Sequence, residues 1–521
     1  MSPARLSLVL ALSVGVGGCW TQTIGGPDHP VGGGTGGAGS GPPPQRFQIT
    51  PASNQLDLLL VIDDSANDAA QQKLVAQLPT LVQSLEALPD GLPDLHIGVI
   101  STDMGAGPQP PAGCTSTGKA AQLQSAPRGA CTDTTLAPGA TFISVSGGAR
   151  NFTAPLEQVL QCITPLGSDG CMFRQPLAAI VRALGADGAQ PPAANRDFLR
   201  PAAALGILIL STHDDCSPAP GNTDLFTADA AAPGLSGPLG PLDTYRCNRY
   251  GHLCQGVGGS MLIGMPPLAP PASAAGTPPS VELASCAAND LTGGRLTTIS
   301  AVVQDLSFLK DGDLGRIFVS AIAGPPAPYG VAWSPAGAAN PGNPSELWPS
   351  VMLSCGAKGD PALNPAATLL TTDGTQGEPA LRISQFAQSL PHGLNTSLCD
   401  ASYAPAMIQL AQGLNSAARG LKCIGAPVPL DTSAQPACTV EATYLTQMTS
   451  PMRTSIHACT ADPAMEIQAP CWRSAYDAAL CPKGGYAIEV IPDPNLQNAA
   501  GLVFDVSCAA CDPGAPAPGC P

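Results

Sequence analysis

The sequence predicts an α/β fold, with a three-layer, mainly parallel sheet followed by a small disulfide-rich C-terminal β domain. Three observations carry this expectation. Short apolar runs of strand length (Leu56–Ile62, Leu95–Ser101, Leu205–Leu210 and 316–323) alternate with amphipathic stretches of helical length. That alternation argues parallel strands joined by covering helices. The run Leu205–Leu210 is apolar throughout, as a strand buried on both faces must be. Eight of the 19 cysteines fall from Cys423 onward, in the last fifth of the chain, where helical patterns fade.

Taken in order, residues 1–18 carry a basic start at Arg5, an apolar run to Val16 and small residues before Cys19. This reads as a secretory signal segment, too short to remain as a span. Its end, Val16-Gly17-Gly18-Cys19, resembles a bacterial lipobox, which implies a lipid-anchored Cys19 and a membrane as partner. The segment 19–46 is rich in Gly and Pro and reads as a tether unable to bury a core. From 47 to 422 the strand and helix signals follow one another. Leu56–Ile62 is a strand, 71–88 a helix, Leu95–Ser101 a strand, and 103–140 a loop holding Cys114 and Cys131. A short strand is expected near 142–145, helices at 155–163 and 175–184, a strand at Leu205–Leu210, and a Pro- and Gly-rich insertion over about 217–296. A further strand at 316–323 and helices at 380–390 and 403–421 complete this part. In the region 423–521, strands are expected at 486–491 and 501–506.

With 521 residues, 44% hydrophobic and 4% aromatic, the chain is long and apolar enough for two or three domains. Its net charge of −16 and scattered basic residues argue against nucleic acid or anionic lipid as partner, since both demand clustered positive charge. Wide cysteine spacing points to disulfides in an oxidising compartment. Setting Cys19 aside leaves an even 18. On the low entropic cost of short loops, the expected pairs are Cys114–Cys131 and Cys162–Cys171; Cys247–Cys254 is expected as the disulfide alternative to a zinc site with too few ligands.

The stretch Asp63-Asp64-Ser65-Ala66-Asn67 closes the first apolar strand. It resembles the Asp-x-Ser-x-Ser pattern of von Willebrand factor type A domains, with Asn67 in place of the last hydroxyl. Further stretches, 94–105, 170–177, 208–217 and 397–400, resemble a von Willebrand type A-like secreted bacterial lipoprotein family of myxobacterial type. The resemblance implies a metal-ion-dependent adhesion site for Mg²⁺, Mn²⁺ or Ca²⁺, hard ions that take oxygen ligands. Asp63, Ser65, Asn67 and Asp214 are the candidate ligands. The set is degenerate, because Thr212 stands where relatives carry an Asp, and the loop before Gln175 offers only Ser168 and Asp169 for the Thr. The competing reading is an inherited pocket whose Asp63 and Ser65 cap the following helix and tie the loops.

Catalytic constellations are poor. Ser211, His213 and Asp214 stand close in sequence, but no Gly-x-Ser-x-Gly elbow accompanies them. His252 and Cys254 near Cys247 mimic a zinc site with too few ligands. Cys508-x-x-Cys511 sits in a Pro- and Gly-rich tail and reads as structural. The functional expectation is a non-catalytic binding or adhesion module on the cell envelope, at the outer membrane, which meets an envelope or extracellular protein through the loops at the carboxyl end of the sheet. A purely structural envelope component is the alternative, and a hydrolase a third.

Overall fold

The computed structural model describes residues 43–49, 53–65, 69–88, 91–129, 131, 136–227, 234–255, 263–273, 278–444, 452–459, 469–476, 481, 485–491, 502–512 and 517–520. The signal segment, Cys19 and most of the tether lie outside them, as does Asn67.

A seven-stranded sheet forms the frame. Its strands run in the order Leu394–Ser397, Ile317–Ala323, Ala204–Ser211, Gln55–Ile62, Asp94–Ser101, Ile143–Ser146, Ala149–Arg150. The first five are mutually parallel, and the last two are added by antiparallel pairings. Register is fixed by the apolar pattern: Ile62 lies opposite Leu210 on one side and Ser101 on the other. Side chains alternate across the sheet. Leu58, Leu60 and Ile62 enter one core with helices Ala69–Glu86, Leu156–Ile163 and Ala404–Ala418. Leu59 and Val61 enter the other, with Pro176–Leu184, Ile299–Phe308 and Leu381–Gln388. The sheet is therefore covered on both faces, three helices to each.

Helix Ala69–Glu86 buries Leu74, Leu78, Leu81, Val82 and Leu85, a helical spacing that makes one apolar stripe. Helix Ala404–Ala418 approaches the sheet at a glycine. A Cβ on Gly413 would stand 1.9 Å from the Phe318 ring, so only a residue without one allows this packing.

The insertion carries secondary structure of its own. It supplies helix Tyr245–Gly251 and strands His252–Gln255, Ile263–Gly264 and Ser280–Ala288. These join Tyr329–Pro335 and Leu347–Val351 in a five-stranded antiparallel sheet. In the insertion, just before helix Tyr245–Gly251, burial pushes the Asp243 carboxyl up to about 7 against the opposing Tyr245 N–H and Arg246. A carboxyl raised above its unfolded value of about 3.9 binds its proton more tightly when folded, so stability falls as pH rises from about 4 through 7. The side chain is only partly buried, which moderates the effect. Asp243→Asn is expected to stabilise by on the order of 1 kcal/mol at pH 8 and by less at pH 5, measured by thermal melts at the two pH values.

The C-terminal region is a β domain of the expected kind, but it includes a strand from the other end of the chain. Gln45–Ile49 pairs antiparallel with Leu502–Cys508, from Gln45 opposite Cys508 to Ile49 opposite Phe504. A tether ending at 46 and a domain starting at 47 therefore do not describe this segment. Ile49 sits in one core with Val440, Ile456, Ile488, Phe504 and Val506.

Nine disulfides join all 18 cysteines from Cys114 to Cys520, the mark of an oxidising, extracytoplasmic environment. The expected neighbour pairs are corrected. Cys114 bonds Cys171, and Cys131 bonds Cys162. The chain around Cys114 folds onto the carboxyl end of the sheet beside Cys171 and Phe173. The segment before Cys131 lies on helix Leu156–Ile163, where the Arg128 N–H donates to the Cys162 carbonyl at 3.0 Å. Cys247 bonds Cys216, and Cys254 bonds Cys286 on the neighbouring strand, so Cys247–Cys254 is corrected as well. Cys508 and Cys511 take separate partners, Cys438 and Cys520. Among the described residues, no helix is long and apolar enough to cross a membrane.

Candidate functional site

The parallel strands Gln55–Ile62, Asp94–Ser101 and Ala204–Ser211 end side by side, so the loops after them share one rim. This is where open α/β sheets place ligands. Five buried acids stand on it: the adjacent pairs Asp63 with Asp64 and Asp214 with Asp215, and Asp103 in the loop after Asp94–Ser101.

Asp63 is the centre. Its Oδ1 accepts the Ser65 N–H at 3.0 Å and the Ser65 hydroxyl at 2.5 Å, and the Arg174 Nε stands 3.4 Å away. Its Oδ2 accepts the Thr212 N–H at 3.0 Å and the Thr212 hydroxyl at 2.6 Å. Burial disfavours the charged form, but Arg174, His213 and the two hydroxyls outweigh it and hold the carboxyl well below the usual carboxylate range. The structure thus brings Asp63, Ser65 and Thr212 together, as the sequence pattern implies.

Asp214, the fourth expected ligand, serves a different purpose. Its Oδ1 accepts the N–H groups of Asp215 at 2.8 Å and Ile383 at 3.0 Å. Its Oδ2 meets the Arg382 N–H at 2.7 Å and His252 Nε2 at 2.7 Å. Arg382 and Ile383 open helix Leu381–Gln388, so Asp214 caps that helix, satisfying donors that have no partner inside it. Burial raises its pKa, but His252 and the two helix N–H groups prevail and lower it. Ser168 and Asp169 are exposed, while Gly170 next to them is held against Asp64. Its N–H donates to the Asp64 carbonyl at 2.7 Å, and a Cβ there would stand 2.3 Å from Asp64 Oδ1.

Asp64 and Asp215 are paired likewise. Asp64 accepts the Ser101 hydroxyl at 2.6 Å and Lys119 Nζ at 2.9 Å. Asp215 accepts the Ser217 hydroxyl at 2.5 Å, the Leu177 N–H at 3.2 Å at the start of helix Pro176–Leu184, and Arg382 Nε at 3.1 Å. For both, burial is the largest influence and raises the pKa in spite of those donors. Each acid of the two adjacent pairs thus has its own basic partner, Arg174, Lys119, His252 or Arg382, while the Asp103 carboxylate accepts the Gly105 N–H at 2.9 Å. Buried charges survive when paired in this way.

This arrangement bears on the expected metal. A carboxylate has about four lone-pair sites, and Asp63 already faces five donors, one of them a guanidinium. With Asp214 turned to a helix terminus, the residues do not fit a divalent cation as they stand. Among the described residues, no group of three or more His, Cys, Asp and Glu forms a metal-binding cluster. The zinc-like set fails directly, because Cys247 and Cys254 are in disulfides and His252 is held between Asp214 and the Tyr329 hydroxyl.

Ser211, His213 and Asp214 do not assemble. The Ser211 hydroxyl donates to the His213 carbonyl at 2.7 Å, not to its ring. The ring meets Thr212 Oγ1 at 2.9 Å and Glu378 Oε1 at 3.2 Å. Arg174, Lys119, His252 and Arg382 are the site residues that sequence reasoning missed. Arg174 lay within a stretch that carried the family resemblance, but nothing local marked its partner, 111 residues away.

No protein-family model matches the sequence, and no curated protein matches it.

Proposed function

We propose that the chain is a lipid-anchored cell-envelope protein of von Willebrand type A kind, acting as a non-catalytic binding module through the loops at the carboxyl end of its sheet. One observation carries this reading: loops from three adjacent strands are knit into a single stiff rim. Asp63 bonds the loop after Ala204–Ser211 through Thr212, and Asp64 bonds the loop after Asp94–Ser101 through Lys119. Cys114–Cys171 and Cys216–Cys247 staple the same rim. A preorganised surface binds without a large ordering cost, and the Thr212 hydroxyl that meets His213 Nδ1 also donates to Asp63 Oδ2, which engages it as a tie between loops. The order of the parallel strands, the lipobox-like Cys19 and the disulfides support the envelope reading.

Photo-cross-linking residues placed in the full chain, in cells, test it. Ser116 and Asp169 are exposed on the rim, and Gly148 is exposed near the opposite end of the sheet, beside the start of Asp94–Ser101. Discrete adducts are expected from positions 116 and 169 but not from 148. Adducts from 148 alone, or from none of the three, would overturn the binding reading and favour a structural component with no ligand at that face.

A further inference from the structure

We infer that Arg174 fills, with its own guanidinium, the place beside Asp63 that a divalent cation would take, so that the rim is assembled without metal. Deleting that charge opens a divalent-cation site formed by Asp63, Ser65 and Thr212. The inference goes beyond the binding reading and holds whether or not a partner docks on the rim.

The geometry behind it is specific. Arg174 is 4% exposed, and its direction is fixed at both ends. Its Nη1 donates to the Met172 carbonyl at 2.7 Å, and its own carbonyl accepts the Cys216 N–H at 2.7 Å. The neighbouring Gln175 N–H donates to the Thr102 carbonyl at 2.9 Å. Cys171, three residues earlier, is bonded to Cys114. The guanidinium is therefore delivered to Asp63 by a stapled segment, and it does not reach there as a mobile surface side chain does. A guanidinium is always charged and is weakly hydrated, which suits it to a buried place that a hydrated ion leaves and enters. A second cation at the same carboxylate would meet strong repulsion at low effective dielectric. Asp64, Asp214 and Asp215 are each matched with a basic group of their own, Lys119, His252 and Arg382, so none of these three is spare to offset it. Meanwhile the two hydroxyls that converge on Asp63 are hard oxygen donors of the type Mg²⁺ and Mn²⁺ accept. The resident guanidinium, 3.4 Å from Asp63 Oδ1, is the cation that stands against such an ion.

The test titrates Mn²⁺ into the oxidised full chain, followed by electron paramagnetic resonance and by melting temperature with and without chelator. The wild type is expected to bind no Mn²⁺ at millimolar concentration and to melt at the same temperature in chelator. Arg174→Ser is expected to take up one equivalent, and Arg174→Ser with Asp63→Asn to lose it. Should Arg174→Ser not fold, Arg174→Gln, which keeps a donor beside Asp63, carries the same expectation. A wild type that binds Mn²⁺ and loses it on Asp63→Asn overturns the inference. So does a folded Arg174 variant that binds none. Neither result touches the cross-linking outcome, so the two readings fail separately.

Discussion

Replacing Arg382 by Met is expected to lower stability by about 3–5 kcal/mol, the cost of leaving one partner of a buried ion pair alone. Arg382 is fully buried, and so is Asp215, 3.1 Å from its Nε. The same guanidinium bonds the carbonyls of Thr297 at 2.5 Å and Asn289 at 3.4 Å, so its loss also frees the insertion's return to the main sheet. Without Arg382, Asp215 keeps only hydroxyl and N–H donors. Its carboxyl, already raised by burial, rises further. A carboxyl raised above its unfolded value destabilises once it ionises, so the deficit grows with pH. Urea denaturation at pH 5 and pH 8 should show the larger loss at pH 8. Arg382→Met with Asp215→Asn should recover part of it, the coupling that a double-mutant cycle reads. Equal losses in single and double variants would show that the pair is not the cause.

Asp214→Ala is expected to cost on the order of 3 kcal/mol or more, because it strands several buried donors at once. These are the N–H groups of Asp215, Arg382 and Ile383, and the ring of His252. Asp214→Asn keeps one acceptor oxygen and should fall between. Millimolar Mg²⁺ should leave both variants and the wild type unmoved, because Asp214 acts as a helix cap. Measured by denaturation with and without Mg²⁺, a wild type stabilised by the ion and an Asp214→Ala variant that is not would restore Asp214 as a ligand.

The frame was legible because its signals are local. Leu56–Ile62 and Leu205–Leu210 are apolar enough to be buried on both faces, and the structure pairs Ile62 directly with Leu210. The five expected helices fell within a few residues of expectation because apolar side chains recur at helical spacing, as in Leu74, Leu78 and Leu81, whereas Ile299–Phe308, which also covers the sheet, and Tyr245–Gly251 were not among them. What was not legible depends on residues far apart in the chain. Gln45–Ile49 carries no sign that its partner is Leu502–Cys508. Loop entropy favours near neighbours, but a disulfide needs its Cα atoms about 4.4–6.8 Å apart. The fold sets that distance, and it brings Cys114 to Cys171 at 4.4 Å. The site divides the same way. Asp63 and Ser65 followed from a local pattern, and Thr212 from its place after a strand. The basic partners Lys119 and Arg382 lie 55 and 167 residues from their acids, so no motif announces them.

The most direct test of the rim's internal charge pairing is a crystal structure of the wild-type chain grown in Mn²⁺, with an anomalous difference map. No peak is expected at Asp63, with the Arg174 side chain still against its carboxylate. A peak at roughly 2.0–2.6 Å from an Asp63 oxygen, with Arg174 swung away, would contradict it.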